Sequence, residues 1–95
     1  MSRNLSALVC GHIGEMFDEV DRPEATELLL QICKTGGGGQ APNRCEIAAL
    51  KISHNSLEGL KRAVDMYHTD FRDLLMSAGF GHDTAAHEKW RPSTL

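Results

Sequence analysis

The apolar residues of this chain recur at three- and four-residue steps, and no stretch alternates apolar with polar. A three-to-four period lines one stripe of a helix, whereas a half-buried strand needs a period of two. Leu5, Leu8, Val9, Ile13, Met16, Phe17 and Val20 make the first stripe, with His12 on the same face and Asn4 or Ser6 placed to cap it. A second helix is expected after Asp21-Arg22-Pro23. Pro23 suits a first helical turn, and Ala25, Leu28, Leu29, Ile32 and Cys33 form its apolar face.

Four consecutive glycines, Gly36–Gly39, interrupt the pattern, and a glycine run sustains neither helix nor strand. A phosphate-cradling loop would put Gly-Lys-Ser/Thr at the head of a helix. Here Lys34-Thr35 precede the glycines, so a connector is expected. Beyond it, Asn43 followed three residues later by Glu46 has the form of a capping box. Ser53 and Asn55-Ser56-Leu57-Glu58 offer the next start, for a helix burying Leu57, Leu60, Val64 and Tyr67. Thr69-Asp70 caps a last helix that turns Phe71, Leu74, Leu75 and Ala78 inward. Gly79 and Phe80 are placed for a Schellman stop.

The expected fold is all-α, a small bundle of four to five helices in a single domain. It comprises an acidic helical hairpin over residues 1–35, a Gly-rich linker at 36–42, a three-helix unit over 43–80 and a polar tail at 81–95. Apolar residues make up 41% of the 95, and the nine glycines bring the sum to about half, which is the globular range and excludes wholesale disorder. A chain of this size buries only about 60–65% of its unfolded surface, so a homodimer would add burial that one copy lacks.

Charge is unevenly spread. The net charge is −3, and it arises in residues 1–35, since residues 36–95 hold seven bases and seven acids. No apolar run approaches the roughly 18 residues of a membrane span. The start Met1-Ser2-Arg3-Asn4 has no signal-peptide pattern, so no membrane and a cytoplasmic location are expected. The odd count of three cysteines (Cys10, Cys33 and Cys45) fits a reducing compartment. None shows CxxC spacing.

Candidate functional residues fall into two sets. Glu15, Asp18, Glu19, Glu24 and Glu27 crowd one hairpin, and acids at the C-terminal end of a first helix oppose its dipole. Local helix stability therefore leaves Asp18 and Glu19 unexplained, which points to a protein partner with a basic surface. A solvated hairpin tip is the plainer alternative. Trp90, in Lys89-Trp90-Arg91-Pro92, either joins such a contact surface or docks the tail on the bundle. The second set resembles the turn and recognition helix of bacterial repressors, in Ile52-Ser53-His54-Asn55-Ser56-Leu57-Glu58-Gly59-Leu60-Lys61-Arg62. There His54, Asn55 and Ser56 would face bases, and Lys61 and Arg62 phosphates. Lys51 replaces the family's turn glycine, Ile47 its small alanine, and an acidic whole lacks the field that favours nucleic acid.

Neither metal nor cofactor is expected. His82 and His87 stand five apart, off a common helical face, and His12-x-x-Glu15 reverses the order of a di-iron ligand pair. No nucleophile elbow occurs, and enzymatic activity is not expected. Ala49-Leu50-Lys51-Ile52-Ser53, Leu57-Glu58-Gly59-Leu60, Asp70-Phe71-Arg72-Asp73-Leu74-Leu75 and Ala78-Gly79-Phe80 together resemble a set of small uncharacterised bacterial helical proteins. Those carry Ala-Leu-Lys-Leu-Ser, then Asp-Tyr-Arg-Asp-Leu/Val-Leu, then a short tryptophan-bearing tail. The resemblance spans about residues 47–92 and implies a bacterial, cytosolic helical protein, with no activity attached.

Overall fold

The computed structural model describes residues 5–34, 43–81 and 86–92. Its helices are α1 (Ala7–Met16), α2 (Arg22–Lys34), α3 (Arg44–Ser53), α4 (Leu57–Thr69), α5 (Phe71–Ser77) and α6 (Ala86–Lys89). The protein is all-α. The glycine connector lies outside the described residues.

Start signals written into the chain operate at three helices. The Ser6 side chain accepts from Val9 N at 3.2 Å, that of Ser56 from Gly59 N at 3.2 Å, and that of Asp70 from Arg72 N at 2.9 Å. Each satisfies a first-turn donor that has no partner inside its own helix. The stop of α5 follows the Schellman pattern. Gly79 has φ +80°, Phe80 N donates to Leu75 O at 2.9 Å, and Gly79 N donates to Met76 O at 3.0 Å.

At the centre lies α3, which packs against all five other helices. Its residues 44–50 are buried without interruption. A helix covered on every side has no solvent stripe, so even Arg44 and Glu46 are enclosed. This overturns the expected capping box. Asn43 takes a left-handed conformation, φ 72°, and makes no side-chain cap bond, while Glu46 is turned into the interior at 5% exposure. The Arg44 guanidinium donates to Phe80 O, tying the start of α3 to the end of the α5 stop.

One apolar cluster runs through the bundle from Val9, Ile13 and Phe17 through Leu29, Ile32, Leu50, Leu60 and Leu74 to Phe80 and Trp90. The hairpin α1–α2 is thus packed on the rest, α1 against α3 and α2 against both α3 and α4. Two boundaries differ from the sequence expectation. Helix α1 stops at Met16 rather than running to Val20, because Phe17 turns extended, φ −122° and ψ 145°. Among the described residues of the tail, Ala86–Lys89 form a helical turn, α6, which lies against α3. None of the described helices is long and apolar enough to cross a membrane.

Candidate functional site

The early end of α1 rearranges the acidic set. Asp18 and Glu19 leave the helix and lie in the joint ahead of α2, where Asp18 O accepts from Asp21 N at 2.8 Å and Arg22 N at 3.1 Å. Acids at that place complement the positive end of the α2 dipole instead of opposing that of α1. A local reason for Asp18 and Glu19 therefore exists, and the sequence reading missed it by misplacing one helix end.

Arg22 closes the joint from below. Its Nε donates to Phe17 O at 3.0 Å and its guanidinium terminus to Gly14 O at 3.0 Å. Both acceptors lie at the C-terminal end of α1, where carbonyls lack helical donors. The one base within residues 15–27 is thus committed to holding the tip in shape. Replacing Arg22 by Met keeps the stem but removes both bonds, and a loss of about 1 kcal/mol is expected in urea unfolding, since charge-assisted bonds at an exposed site sit at the low end of their range. A loss below experimental error would show that the clamp does not act in solution.

Directly after those acids stands Val20, 86% exposed. Among the described residues, Val20 and Met76 are the large apolar side chains left in solvent. The remaining acids spread outward from this tip. Glu15 lines a groove of about 280 Å³ with Met16, Asn55 and Pro92. Glu24 and Glu27 are exposed one turn apart on α2. Glu24 Oε2 lies 3.7 Å from Lys61 Nζ on α4. Of the five acids, Asp18 and Glu19 directly precede the exposed valine in the chain, and Asp21 follows it.

The residues of the repressor-like segment have structural work. His54 and Asn55, at φ 53° and 63°, make the tight turn between α3 and α4, and Ser56 caps α4. Arg62 reaches Glu58 at 3.3 Å, and Lys61 faces Glu24. Exposed pairs of this kind add little stability, but they do place a carboxylate beside each cation. The shallow cleft here, about 390 Å³, is lined in part by Ser53, His54, Glu58, Gly59 and Arg62.

Trp90 is folded inward at 9% exposure. Its ring meets that of His12 edge-on, with centroids 5.4 Å apart at 79°. It therefore leaves the proposed contact surface, because its large apolar area is spent on docking the tail. His87, in the same turn, is 1% exposed and edge-on to Phe80 at 6.4 Å. His82 lies outside the described residues. No group of three or more His, Cys, Asp or Glu could hold a metal ion among the described residues.

The three thiols are unbridged, with Cys10 exposed and Cys33 and Cys45 buried. Burial pushes the Cys45 thiol up to about 12, with Glu46 adding to the rise and Arg44 opposing it. At neutral pH Cys45 is a protonated core side chain.

A further cleft, about 420 Å³, is lined by Arg44, Phe71, Arg72, Leu75, Met76 and Gly81. Sequence reasoning missed it. Its lining comes from both ends of the C-terminal unit, and no spacing rule links Arg44 to Arg72.

No protein-family model, no curated protein and no solved structure matches this chain. The functional reading rests on the residues themselves.

Proposed function

We propose that the protein is a non-enzymatic binding module, an adaptor or an inhibitor, that offers the α1–α2 tip to a basic protein partner. The observation that carries this reading is Val20. A β-branched apolar side chain 86% exposed in a joint held by two Arg22 bonds contributes nothing to the core. With Asp18 and Glu19 before it and Asp21 after it in the chain, it forms a small apolar contact point inside a negative rim. A basic segment with one apolar side chain would complement it. The surrounding carboxylates of Glu15, Glu24 and Glu27 extend the negative field, which speeds encounter and selects partners more than it adds affinity.

The repressor-like alternative draws less support, because Lys61 and Arg62 each lie within 4 Å of a carboxylate. Duplex DNA would have to displace those partners before either cation could neutralise phosphate.

The test is capture from host lysate, with and without nuclease, by the wild type and by the triple variant D18K/E19K/V20D. All three side chains are exposed and lie outside the helices, so helicity should be largely retained, with a small loss at the start of α2 from the reversed charges. The expected result is a stoichiometric protein partner retained by the wild type and lost by at least tenfold with the variant. Equal capture by both proteins would overturn the reading. Recovery of nuclease-sensitive material alone would move the function to the α3–α4 turn.

A further inference from the structure

The described residues end in a short turn followed by Trp90, whose ring meets a buried imidazole. Helix α6 lies on α3, and the Trp90 that follows it packs against His12 of α1. His12 is 3% exposed, and its Nε2 has no hydrogen-bond partner among the described residues. A neutral imidazole tolerates one bare ring nitrogen. An imidazolium carries two N–H donors and needs an acceptor for each. We propose that Trp90, carried at the end of α6, forms a pH-sensitive clasp on α1, which protonation of His12 releases while the rest of the bundle stays folded.

The charged groups acting on His12 come from both sides of the contact. Burial holds its pKa below the ordinary histidine value, Arg91 beside Trp90 acts in the same direction, and Glu15, nearly one turn along α1, opposes them. Arg91 is held in place by donating to Glu88 O at 2.7 Å and Trp90 O at 2.8 Å, so the clasp brings its own cation to the histidine. An imidazolium would gain some attraction from the indole ring, but that gain offsets only part of the burial cost, and Arg91 adds repulsion. The second buried imidazole, His87, is on the clasp itself. Its Nδ1 has no hydrogen-bond partner among the described residues, and its Nε2 lies 3.9 Å from the Glu88 carboxylate.

The direction follows from linkage. A histidine whose pKa is lower when docked than when released binds fewer protons in the docked state. Docking is therefore at full strength above the released pKa, about 6.5, and weakens as pH falls below it until the docked pKa is reached. Within that window each pH unit lowers the docked-to-released ratio by up to tenfold.

Trp90 is the only tryptophan, so its fluorescence reports the clasp directly. Between pH 8 and pH 5, emission of the full chain should shift to longer wavelength and become more open to acrylamide quenching below about pH 6.5, with far-UV helicity largely retained. The variant His12→Phe keeps an aromatic contact and cannot titrate, so its emission should stay constant over the same range. A wild-type emission that does not move would overturn the proposal. So would an unchanged shift in His12→Phe, or a loss of helicity in step with the emission, which would mean that the whole fold responds. Should His12→Phe fail to fold, proton NMR of the wild type decides. A common midpoint for the His12 ring and Trp90 indole resonances supports the clasp, and a His12 titration that leaves Trp90 unmoved overturns it.

Discussion

Leu50→Ala is expected to lower unfolding free energy by about 3–4 kcal/mol and the melting temperature by roughly 12–32 °C. Leu50 is fully buried on α3, the helix that every other helix packs against. Truncation there removes buried methyl groups and leaves a cavity that five surrounding helices cannot all close. A domain of this size holds only about 5–15 kcal/mol in total, so the variant would be folded at 25 °C but fragile. Met76→Ala is the control, since a side chain 57% exposed should change stability by less than about 0.5 kcal/mol. Urea titration of both proteins checks the contrast. A cost under about 1 kcal/mol for Leu50→Ala would mean that α3 is not enclosed in solution.

The second large effect is one of sign. Alanine is ordinarily better than glycine inside a helix by about 1 kcal/mol. At Gly59 it should instead destabilise by about 2 kcal/mol or more, as overpacking does when the obstructing atom cannot move. A Cβ built at Gly59 would stand 2.3 Å from Ser53 O and 3.0 Å from Ser53 C. That carbonyl is fixed, since it accepts from Ser56 N at 3.1 Å across the left-handed His54-Asn55 turn. Gly11 in α1 has nothing within 4 Å of such a Cβ, so Gly11→Ala should stabilise by about 0.5–1 kcal/mol. Opposite signs for two Gly→Ala changes, both within helices, isolate the close approach of α4 to the end of α3. A stabilising Gly59→Ala would show that the two helices stand further apart.

This close approach also bears on the repressor-like segment. The residues that resemble a recognition turn are those that a tight helix–helix corner requires: two left-handed positions, a serine cap and a glycine where backbones meet. Similar local geometry yields a similar sequence without a shared ligand.

Much of the fold could be read from short-range chemistry. The caps at Ser6, Ser56 and Asp70, the Gly79-Phe80 stop and Pro23 in the first turn of α2 each depend on residues within about five positions of one another. Helical periodicity was legible for the same reason, since the interactions that set it lie one turn apart. The candidate site was legible in composition but not in layout. Six acids among residues 15–27 were visible, whereas the placement of Asp18 and Glu19 ahead of α2 depended on where α1 stops.

Contacts distant in sequence decided the rest. Helix α1 ends at Met16 where Phe17 turns extended and is buried in the core cluster with Leu50, Leu60 and Leu74. The apolar stripe alone runs on to Val20, and that turn leaves the valine in solvent. Asn43 and Glu46 have the right identities for a capping box. The burial of α3 on every side turned Glu46 inward, because the free energy of enclosing a central helix exceeds the roughly 1 kcal/mol of one cap. The tail reads as polar, and only the presence of α1 and α3 beside it gives Trp90 and His87 something to pack against. The sequence by itself determined the helical period, most of the helix starts and the sign of the charge on the hairpin, since these are settled among neighbours in the chain. Which helix is enclosed, where α1 stops and how the last turn docks were decided by tertiary structure, because burial belongs to surfaces that meet only after the chain has folded.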